Sequence, residues 1–314
     1  VYVYYGSAMG LSTTPAWMFE SDQGDARLGT SVGTAGDVNK DGYSDIIAGA
    51  PLYDNGQADE GLANVFYGSA AGLSATADWT AESDQATAYL GVSVGTAGDV
   101  NGDGYADVII GASAYDNDQS NEGHTFVWHG SAAGLNNGTP GNPTNAIWTA
   151  ESNRTNVYFG ESAGTAGDVN GDGYADVIVG ARNFSNGEAA EGRAFVYHGS
   201  AAGLSTAAAW TAESNQANSG FGISVGTAGD VNGDGYADVI IGAYFYDNGQ
   251  SDEGRAYVYH GSAIGLNVGA DWIAEVDQAY AYFGWAVGMA GDVNGDGYAD
   301  VIVGAYNYDN GQSN

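Results

Sequence analysis

An all-β fold built from five copies of one four-stranded unit is predicted by three features of this 314-residue sequence. The string GDVNxDGYxD recurs with its first aspartate at Asp37, Asp99, Asp168, Asp230 and Asp292, at spacings of 62, 69, 62 and 62. Two other landmarks keep phase with it: tryptophans at Trp17, Trp79, Trp148, Trp210 and Trp272, and GSAxGL turns opening at Gly6, Gly68, Gly130, Gly199 and Gly261. Glycine interrupts every candidate helix, while β-branched runs such as VIIGA lie between glycine-rich turns. Four short strands per period, repeated radially, make a propeller blade, so the expected fold is a five-bladed β-propeller of four-stranded antiparallel blades.

Within one unit the first strand is FGISVGTAGDV, from Phe221 to Val231, followed by a tight loop and the second strand YADVIIGA, from Tyr236 to Ala243. The third is RAYVYHG, from Arg255 to Gly261, with alternating aromatics, and the fourth is a short strand around AAWTAES, Ala208 to Ser214. Runs as continuously apolar as VIIGA and VIVGA fit strands buried on both faces, as happens where blade packs on blade. The seven residues that lengthen one period fall between Gly134 and Ile147, where LNNGTPGNPTNAIW replaces the LSTAAAW that follows Gly203, and are expected to form a surface loop.

Val1 aligns with Ala256, and Asn314 with Asp252, so the two ends of the sequence fall within one unit. The expectation is a single domain over residues 1–314, its last blade shared between 283–314 and 1–20. Pairing of the N-terminal strands with the C-terminal half-blade then closes the ring and removes its open edge. A fragment of a larger ring is the competing reading.

Charge excludes several classes of partner. Asp and Glu number 39 against six Lys and Arg, for a net charge of -33. Nucleic acid and anionic membranes are repelled by such a surface. There is no cysteine, hence no disulfide framework and no thiolate metal site. No apolar run approaches the roughly 20 residues of a membrane-spanning helix. A chain with so few cations must either tolerate self-repulsion in a salty medium or recruit metal cations.

Each period supplies a place for one. The pattern D-x-N-x-D-G-Y-x-D sets oxygen donors at positions 1, 3, 5 and 9 and a main-chain carbonyl at 7, which suits the six to eight oxygens that Ca²⁺ takes. The candidate ligands are Asp37, Asn39, Asp41, Tyr43 and Asp45 in the first loop and Asp99, Asn101, Asp103, Tyr105 and Asp107 in the second. The third offers Asp168, Asn170, Asp172, Tyr174 and Asp176, and the fourth Asp230, Asn232, Asp234, Tyr236 and Asp238. The fifth offers Asp292, Asn294, Asp296, Tyr298 and Asp300. Position 12 is Ala48, Ile110, Val179, Ile241 or Val303, not the glutamate of an EF-hand, so the loop joins two strands. Turn capping is the plainer role for such residues, but three carboxylates in each of five loops point to about five Ca²⁺ per chain. Mg²⁺ and Zn²⁺ suit the site less well.

These residues resemble the FG-GAP repeat of integrin α chains and their bacterial relatives. The FG element stands at Phe159-Gly160, Phe221-Gly222 and Phe283-Gly284, with Leu28-Gly29 and Leu90-Gly91 as variants. The GAP element is intact at Gly49-Ala50-Pro51 and becomes Gly111-Ala112-Ser113, Gly180-Ala181-Arg182, Gly242-Ala243-Tyr244 and Gly304-Ala305-Tyr306 elsewhere. The resemblance spans the chain. It implies a propeller with calcium in the hairpin between first and second strands and ligand recognition on the opposite face. Integrin heads have seven blades, whereas five are counted here.

On that opposite face lie the loops from ESDQGDAR to EVDQAYAY and the loops typified by YDNGQSDEG, each of the latter carrying an aromatic: Tyr53, Tyr115, Phe184, Tyr246 and Tyr308. In-phase aromatics are expected to fill space between blades. The candidate ligand-binding residues are Arg27, Tyr89, Tyr158, Glu161, Arg182 and Trp285. His129, His198 and His260 occupy a phase held elsewhere by Tyr5 and Tyr67, and His124 stands alone where Arg193 and Arg255 recur. No nucleophile motif is visible and the prominent acids belong to the metal loops, so no catalytic residue is assigned. The expected function is a monomeric extracellular or cell-surface module for protein interaction and adhesion, with no nucleic-acid partner and no membrane insertion. The alternatives are a glycan-binding lectin, a polysaccharide lyase or hydrolase, and an amplified or designed scaffold without a ligand.

Overall fold

The computed structural model describes residues 1–311. Two short pairs open the chain: β1 (Tyr2–Val3) with β4 (Trp17–Met18), and between them β2 (Gly6–Ser7) with β3 (Gly10–Leu11). Four complete blades follow. Blade 1 is β5 (Ser31–Gly36), β6 (Asp45–Ala50), β7 (Leu62–Phe66) and β8 (Trp79–Glu82). Blade 2 is β9 (Leu90–Gly98), β10 (Asp107–Ala112), β11 (His124–Trp128) and β12 (Trp148–Glu151), and blade 3 is β13 (Ser162–Gly167), β14 (Asp176–Ala181), β15 (Arg193–Tyr197) and β16 (Trp210–Glu213). Blade 4 is β17 (Phe221–Gly229), β18 (Asp238–Ala243), β19 (Arg255–Tyr259) and β20 (Trp272–Glu275). A half-blade of β21 (Phe283–Gly291) and β22 (Asp300–Ala305) ends the array. Every pairing within a blade is antiparallel and between chain neighbours, as the sequence predicts.

Blades stack through their first strands, β5 on β9, β9 on β13, β13 on β17 and β17 on β21. The second strands are buried throughout in blades 2, 3 and 4, which accounts for the unbroken apolar runs. The FG and GAP glycines meet at these interfaces. A Cβ built on Gly180 would collide with the carbonyl oxygen of Gly222 in the next blade, and Gly49, Gly111 and Gly242 stand in the same way against Gly91, Gly160 and Gly284. Backbone touches backbone there, and no side chain fits.

The outer strands are tied across blades by the recurring tryptophans. Trp17, Trp148 and Trp210 each donate their indole N–H to a carbonyl of the following unit, Ser74, Ser205 and Asn267, at 2.9 Å. Trp79 uses Thr139 of the insertion instead, at 2.7 Å. The insertion is therefore more than a surface loop. Gly141 donates to Thr80 O at 2.8 Å and accepts from Glu82 N at 3.2 Å, so this segment lies along β8 and covers the outer edge of blade 1.

Among the described residues β22 pairs with β21 alone and β1 with β4 alone. Side chains at the two ends are correspondingly exposed: Ile302 is 63% exposed where Ile240 is 0%, and Val32 is 57% exposed where Val94 is 7%. The alignment of Asn314 with Asp252 falls outside the described residues.

Because Gly180 has a carbonyl in place of a side-chain cavity, Gly180→Ala is expected to destabilise the chain by about 1–3 kcal/mol. Gly226→Ala, on β17 with nothing within 4 Å of its added carbon, is expected to be neutral or slightly stabilising. Denaturant unfolding of the two variants checks the contrast.

Candidate functional site

The five D-x-N-x-D-G-Y-x-D segments form the hairpins between the first and second strands. In the third, Asp168 Oδ1 accepts the N–H groups of Gly171 at 2.7 Å and Asp172 at 3.1 Å, and its Oδ2 accepts that of Gly173 at 2.9 Å. Asn170 Oδ1 accepts from Asp172 N, and Asp172 Oδ1 from Tyr174 N, both at 3.0 Å. Short polar side chains thus fold the loop onto themselves. The exposed Asp292, in the fifth loop, is held below the usual carboxylate range by the N–H groups of Gly297, Gly295 and Asp296.

The ninth-position aspartate has a different task. Asp176 is 0% exposed, accepting Val169 N on one oxygen at 2.9 Å and Gly199 N on the other at 2.8 Å. Asp45 joins Val38 to Gly68, Asp107 joins Val100 to Gly130, and Asp238 joins Val231 to Gly261 in the same manner. Burial pushes Asp107 and Asp176 up to about 7 and Asp45 up to about 6, against those donors, and the first and fifth aspartates of each loop add repulsion.

Among the described residues no group of three or more acidic or histidine side chains is arranged to hold a metal ion, since the loop carboxylates turn to backbone N–H groups. The donor set still fits a hard cation: every donor is oxygen, and three carboxylates crowd each loop with mutual repulsion that a cation would relieve. Neighbouring loops are stitched together, Ala106, Ala175, Ala237 and Ala299 donating to the carbonyls of Asp37, Asp99, Asp168 and Asp230. His129 Nδ1 lies 3.0 Å from the Asn101 amide, so this histidine positions a loop residue.

At the opposite end of the inner strands the structure brings together Tyr158, Glu161, Arg182 and Trp285. Arg182 pairs with Glu161, lies 5.7 Å from the Tyr158 ring centre and donates to Tyr244 Oη at 3.2 Å. Tyr244 meets Trp285 edge-on at 5.1 Å, and Trp285 stacks on Tyr306 at 5.0 Å. Burial pushes the Glu161 carboxyl up, and Arg182 draws part of that shift back. Trp285 is 43% exposed; Tyr306 is 67% exposed on the terminal half-blade, whereas its counterpart Tyr244, covered by the next blade, is 5% exposed. Arg27 and Tyr89 occupy the position of Tyr158 in earlier units and lie outside this cluster.

Sequence reading misses two features of this end. Arg27, Tyr89, Tyr158 and Tyr282 all have φ between 54° and 57°, a left-handed conformation that bulky residues avoid. Gly220, at φ 65° in the fourth unit, is the one residue of the set that betrays the geometry. The glutamines Gln23, Gln85, Gln216 and Gln278 clamp the backbone of the next blade: Gln85 Nε2 donates to Asp116 O at 2.7 Å while its Oε1 accepts Asp116 N at 2.6 Å. Their recurrence as the last residue of ESDQ, ESNQ or EVDQ was the available signal. Of the in-phase aromatics, Phe184 is buried against Phe195 and Tyr246 packs on Tyr257, as space-filling residues do.

The FG-GAP repeat profile matches residues 28–63, 90–128, 159–197, 221–259 and 283–314. Integrin alpha-PS2 of Drosophila melanogaster is 32% identical over 234 residues, covering 70% of this chain and 15% of that protein. Integrin alpha-V of Gallus gallus is 30% identical over 251 residues, covering 77% of this chain and 22% of that protein. The chain thus spans less than a quarter of these relatives. Among solved structures, the exotype rhamnogalacturonan lyase YesX aligns with a TM-score of 0.44 at 14% identity, over 87% of this chain and 56% of that one.

The ion pair in the aromatic cluster gives a direct test of its coupling. Both partners are about a quarter exposed, so Arg182→Met is expected to cost about 1–2 kcal/mol, less than a fully buried pair would. Glu161→Gln in that background should recover most of the loss, and a double-mutant cycle in denaturant measures it.

Proposed function

The chain belongs to the FG-GAP repeat family, and from that premise we propose that it is a calcium-stabilised extracellular module for protein interaction and adhesion, without catalytic activity. The observation that carries this reading is the cluster of Tyr158, Glu161, Arg182, Tyr244 and Trp285, where aromatic rings adjoin a charged pair. Such groups anchor protein interfaces. A second reading is glycan binding, for which the partly exposed Trp285 would offer an aromatic face to a sugar ring. A glycan array set against a panel of extracellular proteins separates the two; loss of captured protein in Trp285→Ala supports the first, and glycan capture with no protein capture rejects it.

In this proposal each loop holds one Ca²⁺ through its position 1, 3, 5 and 9 side chains and position 7 carbonyl. The ion supplies positive charge and no chemistry of its own. The residues of the chain then do the rest, Asp176 and its counterparts bracing three strands of a blade around the loop. About five ions per chain are expected by elemental analysis. Saturation should add about 2.7 kcal/mol per site at hundredfold excess over Kd, so chelation lowers the melting temperature. No bound calcium and unchanged melting would contradict the reading.

The proposal also closes the ring. By the register of β18 with β19, β22 would pair with β1 so that Val303 faces Tyr2. Asp300 accepts Val293 N at 2.9 Å, and Gly6 N, the counterpart of Gly261 N, would supply the second bond. The chain has no cysteine, so Tyr2→Cys with Val303→Cys is expected to form one disulfide within a monomer, since facing residues lie at bridging distance. Free thiols, or covalent dimers only, would argue against closure.

A further inference from the structure

The clefts beside the outer strands repeat from blade to blade, and blades 3 and 4 fill them alike. In blade 3, Arg193 on β15 pairs with Glu213 on β16 at 3.1 Å, and its guanidinium lies 4.9 Å from the Phe184 ring centre. In blade 4, Arg255 Nε donates to Glu275 at 2.7 Å, with the guanidinium 4.0 Å over Tyr246. Each glutamate also accepts from an asparagine amide, Asn186 or Asn248. The fold thus builds the same niche twice and fills it with its own arginine.

Blade 2 keeps the walls of that niche. Glu151 on β12 accepts from Asn117 at 3.1 Å, and Tyr115 and Phe126 stand where Phe184 and Phe195 stand in blade 3. The arginine is replaced by His124, whose ring stacks on Phe126 at 4.8 Å and meets Tyr115 edge-on at 5.3 Å. Its Nδ1 lies 3.3 Å from Glu151 Oε2. Burial lowers His124 to about 4, so near neutral pH it brings Glu151 no countercharge. The cleft in blade 2 measures roughly 460 Å³, and the cleft that Arg193 lines in blade 3 roughly 360 Å³. Pro143 and Thr144 of the insertion form part of its wall. In blade 1 Leu62 holds the position of the arginine, and Asn64 replaces the second aromatic wall.

We propose that the blade 2 cleft receives a guanidinium group from a ligand, set against Glu151 and Tyr115 as Arg193 and Arg255 are set within blades 3 and 4. The planar fork of a guanidinium matches a carboxylate and stacks on an aromatic face, which an ammonium does less well. Glu122 and Asp118 add negative potential at Glu151, and the net charge of -33 draws cations to the whole surface. This inference stands apart from the calcium loops and from the Trp285 cluster.

The test is calorimetric titration of the full chain, in calcium-containing buffer, with methylguanidinium, N-acetylarginine amide and N-acetyllysine amide. Saturable binding of the guanidinium compounds with Kd on the order of 1–10 mM is expected, about tenfold weaker for the lysine derivative. Tighter binding of the arginine derivative than of methylguanidinium assigns the source to a peptide side chain, and equal binding to a small guanidine. His124→Arg, which repeats the side chain of blades 3 and 4, should fill the niche and abolish binding, and Glu151→Gln should weaken it by at least about tenfold. Glu213→Gln should leave it unchanged. No saturable binding by wild type, or binding that survives both His124→Arg and Glu151→Gln, overturns the proposal.

Discussion

One buried carboxylate per blade holds the rest of the structure in place. Asp176 and its counterparts begin the second strand, accept an N–H from the end of the first, and accept another from the turn after the third. A single side chain therefore fixes the relative positions of three strands and the shape of the loop between two of them. Removing either oxygen leaves a buried N–H without a partner, which costs more than the bond itself contributes. The arrangement also crowds negative charge at one end of every blade, where burial and repulsion already push the carboxyls up. A cation is the natural answer to that crowding.

Contact between blades rests on a different constraint. The glycine closing each second strand abuts the carbonyl of the glycine opening the next blade, so packing there depends on the absence of side chains. The two constraints divide the molecule into unlike ends. The loop end is fixed by charge and hydrogen bonds, and its sequence barely varies. At the opposite end left-handed residues and glutamine clamps hold the loops, leaving the side chains at Tyr158, Arg182, Tyr244 and Trp285 free to differ. Variation concentrates where the backbone is held by other means.

The five-unit period, the four strands of each unit and their order could all be read from the sequence, because landmark residues recur at a fixed interval. Glu161, Arg182 and Trp285 were legible only as departures from the repeat, and their joining through Tyr244 depends on contacts between blades. Arg27 and Tyr89 share a loop position with Tyr158 yet lie outside the cluster, since blades 1 and 2 lack the arginine after the GA dipeptide. The insertion reads as a surface loop because it adds seven residues to an otherwise constant period. Its pairing along β8 depends on a neighbour about sixty residues earlier, which no local pattern reveals. The dual hydrogen bonding of the ninth-position aspartates was hidden by their resemblance to plain metal ligands.

The central claim is that each loop is a cation site braced by its ninth-position aspartate. The most direct test is a high-resolution crystal structure of the chain grown in calcium, with anomalous scattering used to identify the ions. The account predicts an anomalous peak in each loop, bounded in the third by Asp168, Asn170, Asp172, the Tyr174 carbonyl and Asp176. Loops without a peak, their carboxylates bonded only to backbone N–H groups, would contradict it.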